Sequence, residues 1–234
     1  MSEEEKYILS FPRSGNHLTR FIVEFLTGRS TRGCIDSSVD KPICTWDFNS
    51  EDSPLAHVKG ENLYKKSHGL YDFGCNEPEE FIFIVRDIRE CVVRHCSGKS
   101  PELGKFDVEY YRKQIRQYLE LPRIYTCRNI PKIVIYYEDL LEKPLEAIKQ
   151  IYDFLGNNAS EENYTKLIEN YDQYKDLLAF GNKAQSFGKI NSSFKTKYYF
   201  EKLSKENQEI FNNILNEFIT DYNEDEVKLI ERYL

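Results

Sequence analysis

One stretch constrains the fold more than any other. In YILSFPRSGNHLTRFIVEFL, residues 7–26, a short apolar, β-rich run enters Pro12-Arg13-Ser14-Gly15 and passes straight into a helical pattern. Leu18, Phe21, Ile22, Phe25 and Leu26 recur at helical spacing, and Gly28 stands where a C′ glycine would stop the helix. At such a junction successive backbone N–H groups form a concave donor cradle, and the helix N-terminus adds partial positive charge. Gly15 lets a ligand approach the backbone closely, and Arg13 puts a permanent cation at the mouth. These are the parts of a phosphate site. They are not a Walker A loop, which needs GxxxxGK[ST]: no glycine precedes Pro12 and no lysine follows Gly15 there.

Further apolar runs flanked by turn signals predict buried strands at Leu63–Ser67, Phe81–Arg86 and Lys132–Tyr137, after the first at Tyr7–Phe11. FIFIV and IVIYY are apolar on both faces, as strands of a parallel sheet covered on both sides are. Helical periods fall between them, around Ile88–His95, Val108–Leu119 and Leu145–Leu155, with a last one around Phe211–Tyr222. The expected fold class is α/β: a three-layer sandwich with a central, mostly parallel sheet flanked by helices, in one domain over residues 1–234. Residues 29–61 and 179–200 read as irregular, and long irregular segments in compact domains are often binding loops or lids.

The chain carries a net charge of −7, which argues against a general nucleic-acid binder and requires any anion site to be a local basic cluster. No apolar run is long enough for a membrane span. The acidic start MSEEEKYILSFP lacks the pattern of a secretory signal, so a cytoplasmic protein is expected. The six cysteines show no CxxC pair and no histidine at metal-ligand spacing, which predicts reduced thiols and no metal.

FPRSGNHLTRF resembles the 5′-phosphosulfate loop of the sulfotransferases that use 3′-phosphoadenosine 5′-phosphosulfate (PAPS), with a pattern near YPKSGTTW. Arg13 stands at the family's lysine, Ser14 and Gly15 are unchanged, Asn16 and His17 stand at the two threonines, and Leu18 replaces the tryptophan. FIFIVRDIRECVVRH resembles the 3′-phosphate motif: Arg86 matches its arginine, while Arg94 stands at its serine. A solvated helix charge is the alternative for Arg94. IVIYYEDLLEKPLEAIKQIYDFLG resembles the strand–YEDL–helix stretch, in which Tyr137 matches a tyrosine near the adenine. A core tyrosine at a strand end is the alternative there, and Asp139 is expected to cap the following helix. NLYKKSHGL resembles the KTH segment, with Lys66 and His68 at the lysine and the base histidine. For the family's late RKGxxG motif, Lys183, Gly188 and Lys189 are the available counterparts.

The resemblance implies a fold like that of the P-loop nucleoside triphosphate hydrolases and PAPS as the sulfuryl donor, with no metal. It implies in-line transfer to an acceptor hydroxyl or amine on a small molecule or glycan. His68 would be the base, Lys66 a cation at the transferring group, and Arg13 with the loop amides the partner of the leaving phosphate. Arg13, Ser14, Gly15, Asn16, His17, Arg86, Arg94, Tyr137 and Lys189 would bind the donor. Two other readings stay open: a non-catalytic nucleotide-binding module on a degenerate version of the fold, and a kinase-like phosphotransferase. The second would need Mg²⁺ ligands, for which no Walker B-like strand is apparent.

Overall fold

A computed structural model of the chain describes residues 5–33, 43, 53–69, 78–97, 106–185 and 199–234. Five strands form one sheet in the order β2-β3-β1-β4-β5, and every pair is parallel. They are β1 (Glu5–Ser10), β2 (Arg29–Arg32), β3 (Gly60–Ser67), β4 (Pro78–Val85) and β5 (Lys132–Tyr136). The helices are α1 (Asn16–Thr27), α2 (Ile88–Ser97), α3 (Val108–Thr126), α4 (Tyr137–Glu142), α5 (Pro144–Leu155), α6 (Glu161–Gln185), α7 (Lys205–Ile219) and α8 (Glu224–Lys228).

Alternation along the strands makes the three layers. Tyr7, Leu9, Phe81, Phe83 and Val85 face a core shared with α2, α3 and α7. Ile8, Ile82, Ile84 and Ile135 face the opposite core, shared with α1, α5 and α6. Each such side chain, fully buried, contributes about 1.5–3 kcal/mol, so neither sheet face can be left to solvent. The chain leaves β1 toward one side of the sheet and β4 toward the other. A crevice therefore opens at the carboxyl ends of these two neighbouring strands, where ligands bind in open α/β sheets.

Three sequence expectations change. Residues 29–61 are not irregular throughout, because Arg29–Arg32 is the edge strand, with Thr31 opposite Tyr64. Residues 179–185 belong to the last turns of α6, and residues 186–198 lie outside the described residues. Asp139 does not cap α5, whose N-cap is Lys143; it sits in the first turn of α4 and pairs with Arg232, 3.0 Å away.

The edge strand is held by buried charge rather than apolar contact. Arg20 and Glu24, one turn apart on α1, are fully buried. Arg20 Nε donates to Thr31 Oγ1 at 2.8 Å, and Glu24 Oε1 accepts the Thr31 and Ile43 N–H groups at 2.9 Å each. One carboxylate oxygen thus binds the chain on both sides of residues 34–42. Glu24→Ala would strand three buried donors, the Thr31 N–H and hydroxyl and the Ile43 N–H, and the expected loss is about 2–5 kcal/mol in urea unfolding. A loss below about 1 kcal/mol would show that solvent satisfies them.

Candidate active site

The loop after β1 is built around two left-handed residues. Arg13 has φ 73° and Gly15 has φ 94°. The Ser14 N–H closes the turn onto the Phe11 carbonyl at 3.2 Å. Gly15 is the N-cap of α1 and offers no side-chain acceptor, so the first amides of the helix are left for a ligand. A left-handed arginine costs about 1–2 kcal/mol and needs a restraint. Arg86 supplies one: its Nη1 donates to the Arg13 carbonyl at 2.8 Å.

Arg86 follows β4 and is 1% exposed. Its guanidinium lies 4.2 Å from the centre of the Tyr137 ring, and Tyr137, first residue of α4, is buried as well. The other contact of that ring is Gly15, where a Cβ would stand 2.2 Å from Tyr137 Cδ2. Arg86 and Tyr137 therefore join the ends of β1, β4 and β5. The Tyr118 hydroxyl donates to the Arg86 carbonyl from α3. Burial opposes the charge of Arg86, but the negative potential of Cys91, Tyr137, Glu138 and Glu90 outweighs it and raises its pKa. Burial likewise pushes up the Glu138 carboxyl, against a hydrogen bond from Tyr233.

Arg94 projects from α2 at partial exposure. It reaches the same place electrostatically. The Arg13 pKa is lowered by desolvation first and by Arg94 second. The Tyr137 pKa is raised by burial, against the charges of Arg86 and Arg94. Arg13, Arg86 and Arg94 thus form a local basic group near the loop after β1 in a protein of net charge −7. Asn16 Nδ2 donates to Ser10 Oγ at 3.0 Å, and Ser14 Oγ lies 3.2 Å from the buried Cys91 Sγ. A separate cavity of about 580 Å³ beside the N-terminus of α2 is lined by acids, among them Asp87, Glu138 and Glu142, together with Arg89 and Arg232.

His68 follows β3, and its Nδ1 lies 2.6 Å from the Ser10 carbonyl oxygen. A carbonyl only accepts, so Nδ1 carries a proton, and in the neutral form of the ring the lone pair is on Nε2. This bond ties His68 to the last residue of β1, one step before the cradle. Lys66 lies on β3, half-buried, in register with Ile8. His17 sits half-buried in the first turn of α1, and Lys189 falls outside the described residues. The structure therefore gathers Arg13, Ser14, Gly15, Asn16, Arg86, Arg94 and Tyr137 into one cluster, with His68 anchored beside it. Sequence reasoning placed Cys91 and Tyr118 only in helical patterns and read Glu138 as structural, because no local pattern shows that they contact the loop and Arg86.

Residues 5–230 match the family described as the sulfotransferase domain. The chain belongs to the sulfotransferase family. Among solved structures, a mouse sulfotransferase, SULT7A1, complexed with PAP is similar over 100% of this chain and 89% of that one. Its TM-score is 0.61, at 15% identity. Retinol dehydratase, in complex with androsterone and the inactive cofactor PAP, is similar over 94% of this chain and 81% of that one. Its TM-score is 0.59, at 13% identity. Both show a shared fold, the P-loop-like α/β sandwich. A Caenorhabditis elegans protein named "Putative protein-tyrosine sulfotransferase" is 27% identical over 121 residues. That match spans 50% of this chain and 45% of the relative's length.

The close approach of Gly15 to the Tyr137 ring is directly testable. Gly15→Ala would place a methyl group against a tyrosine ring already covered by Arg86, at a φ that alanine disfavours. The expected loss is about 2–5 kcal/mol in thermal or urea unfolding, with nucleotide affinity falling as well.

Proposed function

We propose that this protein transfers a sulfuryl group from PAPS to an acceptor hydroxyl or amine. The observation that carries the reading is an uncapped helix N-terminus whose loop is braced by Arg86, with Arg13 and Arg94 electrostatically coupled beside it and a histidine whose Nδ1 is held by the Ser10 carbonyl. Two relatives of the same fold were crystallised with PAP, which supports the same ligand class here.

PAPS supplies the sulfuryl group on a phosphate leaving group. His68 Nε2 takes the proton of the acceptor, whose oxygen or nitrogen bonds to sulfur as the bond from sulfur to the 5′-phosphate oxygen breaks. Arg13 and the first amides of α1 stabilise the charge that returns to the 5′-phosphate. Arginine is the suitable cation there because it gives up no proton. Lys66 is assigned to the oxygens of the transferring group. Arg94, partly exposed, is assigned to the 3′-phosphate. Arg86 acts through the loop that it braces, since its guanidinium is buried against Tyr137 and the Arg13 carbonyl.

That division separates the two arginines. Adenosine 3′,5′-bisphosphate is expected to stabilise the protein more than AMP in a thermal-shift comparison. Arg94→Ala should weaken the bisphosphate by about 1.5–3 kcal/mol and leave AMP nearly unchanged. Arg86→Ala should weaken both, because the cradle loses its brace. Equal stabilisation by AMP and the bisphosphate in the wild type would remove the basis for PAPS as donor.

The base has its own test. With radiolabelled PAPS and a panel of acceptors, His68→Ala should lower turnover at least about a hundredfold with bisphosphate affinity little changed. Near-normal turnover would place the base elsewhere. No turnover by the wild type with any acceptor would favour a non-catalytic nucleotide-binding module.

A further inference from the structure

Glu90 spends a buried carboxylate on two backbone amides. It lies on α2, is 1% exposed, and accepts the Tyr199 N–H on Oε2 and the Phe200 N–H on Oε1, each at 3.0 Å. Water could satisfy two such amides at a surface. A desolvated carboxylate instead fixes where residues 199 and 200 stand, through two charge-assisted bonds. Two more side chains of α2 grip the same step. The Arg89 guanidinium lies 5.8 Å from the centre of the Phe200 ring, and the Arg94 guanidinium 5.6 Å from that of Tyr199.

The step held in this way borders the basic cluster. Arg94 lies over the Tyr199 ring, and Tyr199 also interacts electrostatically with Arg13, opposing the lowering of its pKa. A ring face holds a guanidinium through its flat side, which leaves the N–H edge available to an anion. The same ring carries a hydroxyl, a neutral donor. A phosphate monoester has acceptor oxygens enough for both.

We infer that Tyr199 is a nucleotide-recognition residue: Glu90 positions it, and its hydroxyl donates to the phosphate that Arg94 takes. The inference rests on the reading of this site as one for a 3′,5′-bisphosphorylated nucleotide. It adds a specificity-determining residue from beyond the strand-end motifs, and it gives Glu90 a positioning role that acts through residues 199 and 200.

Calorimetric titration with adenosine 3′,5′-bisphosphate and with AMP tests it in three proteins. The wild type should prefer the bisphosphate. Tyr199→Phe keeps the ring beneath Arg94 and removes only the hydroxyl, so bisphosphate affinity should fall about five- to tenfold with AMP unchanged. Glu90→Gln replaces one acceptor by a donor facing an N–H, so its preference for the bisphosphate should fall at least as far. Should that variant not fold, Tyr199→Phe decides alone. An unchanged preference in Tyr199→Phe, or an equal loss for both nucleotides, overturns the inference while leaving the site reading in place. A wild type with no preference overturns the site reading, and this inference with it.

Discussion

The Arg86 guanidinium packs over the Tyr137 ring, and the same ring lies against Gly15. Parallel strands hydrogen-bond to one another only along their length, so nothing in the ladder orders the loops leaving their carboxyl ends. This stack does so for β1, β4 and β5 together. It needs a planar cation that can cover a ring and still donate in its own plane to the Arg13 carbonyl, which lysine cannot do. It also needs a residue with no side chain at Gly15. The left-handed Arg13, the open helix N-terminus and the position of the cradle all follow from those two requirements.

Charge is sorted around the stack. Arg13, Arg86 and Arg94 interact at the mouth of the crevice, while Asp87, Glu90 and Glu138 lie beside the N-terminus of α2. Burial works against the charge of Arg86, and its surroundings, Glu138 and Glu90 among them, outweigh this and raise its proton affinity. A local basic group of this kind can favour an anion even though the chain as a whole is acidic. The same economy recurs on α1, where Arg20 and Glu24 use buried charge to hold an edge strand with little apolar surface.

Much of the fold could be read from the chain because local and tertiary signals agree in it. Phe81–Val85 is apolar on both faces and is a fully buried inner strand, whereas Lys132–Tyr136, read in the same way, forms an edge of the sheet with only Ile135 fully buried. RSTR gives no such signal, since its strand is stabilised by side chains from α1 and by pairing with β3. The end of α6 was hidden for another reason: AFGNKAQ contains a glycine and small polar residues, which locally favour a loop. Asp139 looked like a cap because it stands before Pro144, yet Arg232, distant in sequence, claims its carboxylate.

By itself the sequence determined the parts whose physics is local. These are the alternation that makes three layers, the strand–turn–helix that leaves amides free, the glycine at a tight approach, and the order of the motifs that resemble a sulfotransferase. Tertiary structure alone decided how the basic residues divide their work. Arg86 and Arg94 are eight residues apart and equally charged, and no local pattern distinguishes them. Burial under Tyr137 makes the first a brace, while partial exposure beside Tyr199 leaves the second accessible. The proton on His68 Nδ1 is likewise settled by the Ser10 carbonyl, 58 positions away in the chain. Such contacts depend on which strands lie side by side, and sheet order is a property of the whole packed core.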